Sequence, residues 1–92
     1  MSAVRIPPVL RAAAGGQKQV EVGGETVGAV LDGLVTTYPG LRDQLLTQDG
    51  VLNRFVNVYL NDEDIRYLDE LATPTGERDT IVILPAMAGG AV

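Results

Sequence analysis

The chain has no cysteine and no histidine among its 92 residues. It therefore has no disulfide, no thiolate nucleophile and no imidazole base. Protein zinc sites are built mainly from these two residue types. We accordingly expect no metal site, and little scope for catalysis by side chains.

Aromatic residues and long apolar runs are scarce as well. The chain has no tryptophan, one phenylalanine and three tyrosines, so aliphatic side chains must fill the core. No stretch approaches the roughly 20 apolar residues of a membrane helix. The N-terminus lacks the basic region and long apolar run of a signal peptide. These features predict a cytoplasmic protein without membrane contact.

Positive charge is also in short supply. Seven lysines and arginines stand against twelve aspartates and glutamates, which gives a net charge of −5. Proteins bind phosphate backbones mainly through cationic side chains, and no lysine and arginine cluster is present. We therefore expect no nucleic-acid partner, and the net charge favours attraction to a basic surface on another protein.

The first half of the chain predicts two strands and one main helix. Apolar residues alternate over residues 4–6 and again over 17–22, with a glycine-containing hairpin loop at Gly15 and Gly16 between these strands. Apolar residues at helical spacing then predict a helix over residues 27–38, with Thr26 as its N-cap.

The second half predicts more strands. A short helical turn is expected at residues 41–46, with polar turns at 61–64 and 77–79. Alternation predicts strands at residues 55–61, 65–67 and 80–84. One long helix and these strands indicate an α+β roll, with a mixed sheet of four to five strands covered on one face by the helix. In the last strand, the alternation places Ile81 and Ile83 inward.

Two sequence motifs suggest ligand sites but lack the required residues. Gly23 and Gly28 have the spacing that opens a phosphate-binding loop, but Ala29 and Val30 occupy the positions of its lysine and its serine or threonine. The acidic turn at residues 61–64 lacks the central glycine and later bidentate glutamate of a calcium loop. We expect a protein that is not an enzyme.

The chain ends in the sequence PAMAGGAV. We divide it into a domain over residues 1–85 and a C-terminal tail over residues 86–92. Fully extended, residues 85–90 span about 20 Å, and glycines let a backbone pass through a narrow channel. Taken alone, the tail is more typical of frayed terminal residues than of a functional segment.

The stretches SAVRIPPVLR, RFVNVYLNDEDIR and DTIVILPAMAGG, in this order, resemble the ubiquitin-like sulfur-carrier proteins of the ThiS and MoaD family, and within it the carriers of cysteine biosynthesis. The resemblance covers nearly the whole chain. It implies a β-grasp fold, and it implies that the tail is functional.

The resemblance also implies the chemistry of the tail. The carboxylate of Gly90 would be the reactive group. An E1-like adenylyltransferase would use ATP to activate it, and sulfur would then convert it to a thiocarboxylate. The chain itself would bind no cofactor. Met87, Ala88 and Gly89 would thread the partner's active site. Ala91 and Val92 depart from the family pattern, so we expect a JAMM-type metalloprotease to remove them.

The resemblance further implies that the exposed sheet face near the tail docks on the activating enzyme. The residues expected there are Pro7, Arg11, Val82 and Leu84. Phe55 and Tyr59 are further candidates, although their side chains are equally consistent with plain packing.

Several uses of such a carrier remain open. The sulfur acceptor would be a pyridoxal-phosphate cysteine synthase, with thiazole, molybdopterin and thiosugar synthesis as alternatives. A covalent protein modifier, joined through Gly90 to a lysine, would share the fold and the activation step. A non-covalent β-grasp adaptor would not need the tail at all.

Overall fold

The structure, a computed structural model, describes residues 1–85. Its strands and α-helices follow the chain as β1 Ser2–Arg5, β2 Gln19–Val22, α1 Val27–Thr37, α2 Arg42–Leu45, β3 Val56–Leu60, β4 Glu63–Asp64 and β5 Thr80–Pro85. Short 3-10 helices occupy Pro8–Ala14, Pro39–Leu41, Ile65–Tyr67 and Glu70–Ala72. In this part of the chain, no helix is both long enough and apolar enough to cross a membrane.

The five strands form one mixed sheet in the order β2-β1-β5-β3-β4. Strand β1 runs parallel to β5, whereas the β1–β2, β3–β5 and β3–β4 pairs are antiparallel. The last described strand is therefore held between the first strand and β3. The predicted α+β roll with a mixed sheet is confirmed.

Helix α1 packs on one face of the sheet because its apolar residues form a single stripe. Thr26 caps the helix, since its Oγ1 accepts a hydrogen bond of 3.1 Å from the Ala29 N–H. The helix ends at Thr37, one residue earlier than predicted, and Tyr38 is its C-cap. The buried residues that join helix and sheet include Val27, Val30, Leu31, Leu34, Val35, Val4, Val58, Ile81 and Ile83.

The connection between β1 and β2 differs from the predicted glycine loop. The 3-10 helix Pro8–Ala14 fills it, and Gly15 ends this helix at a φ of 64°. A proline suits the first position of a helix because the N–H that it lacks would be unpaired there. Ala14 is completely buried, so the segment packs into the core instead of looping into solvent. As a result, β2 starts at Gln19 and not at residue 17.

The prediction of a strand at residues 65–67 is wrong, because Ile65–Tyr67 is a 3-10 helix. Asp64 caps it by accepting a 2.9 Å hydrogen bond from the Arg66 N–H, while Ile65 is completely buried. The predicted turn at 61–64 shrinks to Asn61 and Asp62, whose φ angles are 49° and 74°. Positive φ at both central residues suits a tight hairpin, so the next two residues pair with β3 as β4.

Candidate partner-docking face

Helix α1 covers one face of the sheet, and the opposite face is termed here the outer face. On β5 the side chains alternate between the two faces. Ile81 and Ile83 are buried in the core, whereas Leu84 is 43% exposed and Val82 is half-buried. The predicted orientation of the side chains of this strand, with Ile81 and Ile83 inward and Val82 and Leu84 outward, is confirmed.

Strand β3 places its alternate residues on the same outer face. Val58 is completely buried, while Tyr59 is half-buried and lies directly opposite Val82. The candidate Tyr59 therefore lies beside the apolar centre of the outer face.

Phe55 lies just before β3, at the end of the sheet where β5 finishes. Its side chain is 60% exposed, and the guanidinium carbon of Arg54 lies 5.1 Å from its ring centroid. Val56, the next residue, pairs with Pro85. Phe55 is thus an exposed aromatic residue near the start of the tail, and plain core packing does not describe it.

A hollow lies where the 3-10 helix Pro8–Ala14 meets β1 and β5. Its lining includes all four residues that were expected to form the docking face. Pro7 is buried and forms part of the wall. Arg11 is held in place because its Nε donates a 3.0 Å hydrogen bond to the Ile6 carbonyl. The residues that line this hollow are Arg5, Ile6, Pro7, Pro8, Arg11, Lys18, Gln19, Val82, Ile83 and Leu84.

Three cationic residues close to the candidate docking face were missed by the sequence reasoning. Arg5 lies opposite Val82 across the parallel β1–β5 pair, and Lys18 joins it in the hollow. Arg66 approaches β3 from the other side, because its Nη2 donates a 2.8 Å hydrogen bond to the Val56 carbonyl and its Nη1 donates to the Asn57 side chain. The alternation of β1 would have placed Arg5 outward, but no local signal places Lys18 or Arg66.

The reactive part of the predicted site lies outside the described residues. This holds for Met87, Ala88 and Gly89, for Gly90, and for the extension Ala91-Val92. The structure does fix the point from which they start. Pro85 ends β5 opposite Val56, so the tail leaves the domain at the edge of the outer face, next to the hollow and to Phe55.

Comparison with known proteins identifies the family of the chain. The model of the ThiS family matches residues 4–90. The chain belongs to the ThiS family. The chain is 47% identical to the sulfur carrier protein CysO of Mycobacterium tuberculosis over 89 residues. These residues cover 95% of this chain and 96% of CysO. The small archaeal modifier protein 3 of Haloferax volcanii is 38% identical over 65 residues, 71% of this chain and 70% of that protein.

Solved structures of ThiS family relatives have the same fold. A chain in the crystal structure of the Amycolatopsis orientalis BexX/CysO complex superposes with a TM-score of 0.89 at 41% identity, covering 98% of this chain and all of that one. The β-grasp fold expected for this ThiS family member is confirmed, and so is the resemblance to the carriers named CysO.

Proposed function

We propose that this chain is a sulfur carrier whose working group is the backbone carboxylate of Gly90. The observation that carries the proposal is the family match, which extends through the glycine pair to residue 90 and leaves Ala91 and Val92 outside it. The 47% identity to a protein named sulfur carrier CysO supports the same function. The chain would contribute no catalytic side chain of its own.

The chemistry requires activation because a free carboxylate is a poor electrophile. In the proposed first step, an oxygen of the Gly90 carboxylate attacks the α-phosphorus of ATP on an E1-like adenylyltransferase, and pyrophosphate leaves. Sulfide then attacks the acyl carbon and displaces AMP. The product is a thiocarboxylate at Gly90. All nucleotide binding belongs to the enzyme, so this carrier needs no cofactor.

The position of Pro85 supports this division of labour. Pro85, the residue before the tail, lies near the exposed side chains Leu84 and Phe55, so an enzyme that bound the outer face would be close to the point where the tail starts. Fixing the backbone of a segment in one conformation costs roughly 1–2 kcal/mol per residue. The folded face must therefore supply most of the affinity, while Met87, Ala88 and Gly89 thread the active site.

The two residues after Gly90 make trimming a part of the proposal. In a chain that ends at Val92 the terminal carboxylate would lie two residues beyond the expected position. We expect a JAMM-type metalloprotease to cleave the bond between Gly90 and Ala91 before activation. A chain ending at Val92 should then be inert until it is cut.

Intact-protein mass spectrometry tests both parts. A chain ending at Gly90 is incubated with ATP, sulfide and the E1-like enzyme encoded in the same genome, and a chain ending at Val92 is the matched control. The expected result is replacement of one oxygen atom by sulfur in the shorter chain only. If the shorter chain never gains sulfur, the carrier function is wrong; if both gain it equally fast, only the trimming step is wrong.

Cysteine is the proposed destination of the sulfur. The thiocarboxylate sulfur would bond to the β-carbon of an activated serine on a pyridoxal-phosphate cysteine synthase, where it replaces the activating group. The acyl group would then shift from sulfur to the amino nitrogen, which leaves cysteine attached to Gly90 through an amide bond. The identity to the carriers named CysO supports this choice over thiazole, molybdopterin and thiosugar products. Incubation of the thiocarboxylate form with that synthase and the activated serine should give a product that is one cysteine residue heavier than the unmodified chain ending at Gly90.

A second function is favoured by a separate observation. The 38% identity to a small archaeal modifier protein is consistent with transfer of the activated Gly90 carbonyl to a lysine of another protein. The two functions differ in their products, because a modifier gives larger conjugates that survive reducing denaturing electrophoresis. Conjugates that require Gly90 in cells of the source organism would support the modifier.

A further inference from the structure

Charge is distributed unevenly along the strands of this acidic protein. Five of its seven lysines and arginines lie near the end of the sheet from which the tail starts. Two line the hollow beside β1, one belongs to its 3-10 helix, and two flank the start of β3. These residues are Arg5, Lys18, Arg11, Arg54 and Arg66.

The opposite end of the sheet carries mainly carboxylates. The strand register places them there, because β5 begins at Thr80, β3 ends at Leu60 and β4 begins at Glu63. A single cation, Arg78, lies in the turn before β5 among the residues described there. The carboxylates at this end are Glu21, Glu25, Asp62, Glu63, Glu77 and Asp79.

The hollow has a definite chemical character. Arg5, Arg11 and Lys18 line it, together with the apolar side chains Val82 and Leu84. None of its lining residues within the described part of the chain is a carboxylate. A surface of this composition complements an apolar patch bordered by aspartate or glutamate, whereas a basic patch would meet like charge.

We propose that the outer face docks on an acidic surface of the activating enzyme, with carboxylates of that enzyme entering the hollow around an apolar contact at Val82 and Leu84. This inference rests on the proposed sulfur-carrier function, and it reverses the expectation from net charge alone. The local field at the tail's starting point, and not the overall charge of −5, sets the sign of the attraction.

The arrangement has a second consequence for the encounter. Complementary charge raises association rates by steering the approach of two proteins. The cationic end of the sheet is also the end where the tail begins. An acidic partner therefore attracts the end of the domain from which the tail must reach the active site. The carboxylates at the far end disfavour the reverse orientation.

Charge reversal at matched positions tests the proposal. The full chain and its Arg5→Glu, Lys18→Glu and Arg78→Glu variants are titrated into the purified E1-like enzyme by calorimetry at low and high salt. All three variants change the net charge equally. Arg78 lies six residues before Leu84, about 20 Å away at 3.3 Å per strand residue, which is beyond the Debye length of about 10 Å in 0.1 M salt.

The expected result is that Kd rises about tenfold for Arg5→Glu and Lys18→Glu at low salt, and that high salt removes much of the difference. Arg78→Glu should stay within about twofold of the unmodified chain. Circular dichroism confirms that each variant folds. Arg11 is left unchanged because its hydrogen bond to the Ile6 carbonyl supports the hollow.

Two results would overturn the proposal. Equal weakening by all three variants would mean that only net charge matters, and tighter binding by Arg5→Glu would mean that the partner surface is basic. Failure of the carrier function is seen separately, since it appears as a missing sulfur atom in the mass measurement. If the chain gains sulfur but its Arg5→Glu and Arg78→Glu variants bind the enzyme with the same Kd, the docking inference is wrong and the carrier function stands.

Discussion

Leu84 lies directly opposite Asn57 across the antiparallel β3–β5 pair, one residue before the last described residue of the strand. Because Ile83 faces the core, the side chain of Leu84 must face outward, and it is 43% exposed. It lines the hollow together with Pro7 and Val82, and a large part of this apolar side chain stays open to solvent. It forms the apolar centre of the candidate docking face, immediately before the tail.

Leu84→Asp should weaken activation while leaving the fold intact. A buried apolar contact at the centre of an interface commonly contributes more than 1 kcal/mol, so we expect KM for the chain in ATP–pyrophosphate exchange to rise about tenfold. Val51→Asp is the matched control, since Val51 is 58% exposed in the loop before β3. An unchanged KM for Leu84→Asp would place the docking face elsewhere.

Gly24→Ala should destabilise the domain. A Cβ at Gly24 would lie 2.7 Å from the Val30 backbone nitrogen and 2.8 Å from its Cγ2, so the start of α1 would have to shift. Such overpacking costs about 1–3 kcal/mol. Urea denaturation measures this loss in the free energy of unfolding.

The adjacent glycine provides a close control for that experiment. A Cβ at Gly23 would meet no atom within 4 Å, so Gly23→Ala should change the free energy of unfolding by less than about 0.5 kcal/mol. Equal effects of the two substitutions would show that contact with α1 is not the cause.

Thr26→Ala should lower stability through loss of the helix cap. The Thr26 side chain accepts the hydrogen bond of the Ala29 N–H, and removal of an N-cap typically costs about 1 kcal/mol. Thermal unfolding followed at 222 nm reports the change. Thr26→Ser keeps the accepting oxygen and should recover most of the stability; if it does not, the methyl group matters more than the cap.

The pKa of Asp79 should respond to Asn61. The Asn61 side-chain amide, followed by the Gly76 N–H, donates hydrogen bonds to the Asp79 carboxylate and holds its pKa below the ordinary value of 3.8. A pKa that is lower in the folded state gives stability that is present above the unfolded pKa. That stability is lost as the pH falls through the folded pKa, so the loss belongs below about pH 4.

Asn61→Gly removes the amide but still permits the positive φ of 49° at this position. We expect the pKa of Asp79, measured by NMR titration of its side-chain carboxyl carbon, to move up toward its ordinary value. The acid-induced loss of stability should shrink accordingly. A pKa of Asp79 that stays where it was would mean that the Gly76 N–H alone sets it.

Local sequence patterns predicted correctly those elements whose structure depends mainly on their own residues. Thr26 and the apolar stripe after it specify α1, and alternation alone sorts Ile81 and Ile83 from Val82 and Leu84. The 3-10 helix Pro8–Ala14 was missed because it has the length of a loop, and its stability comes from burial of Ala14 against distant residues. Ile65–Tyr67 was missed because a capped 3-10 turn and a short strand have the same apolar content.

The docking face shows where sequence reasoning ends. Pro7, Arg11, Val82 and Leu84 were expected together from the resemblance, and the structure places all four around one hollow. The contribution of Arg5 and Lys18 depends on the parallel pairing of β1 with β5, which joins residues far apart in the chain. No local pattern specifies that pairing, so the cationic character of the face could be recognised only from the structure.

The parallel pairing of β1 with β5 also determines how the domain bears mechanical load. Because the two strands point the same way, the N-terminus and the start of the tail lie at opposite ends of the sheet. A pull between them loads the hydrogen bonds of that pair together in shear instead of opening them one at a time like a zipper. The enzyme proposed to draw the tail into its active site would therefore pull on β5, a strand that is hydrogen-bonded on both sides, to β1 and to β3.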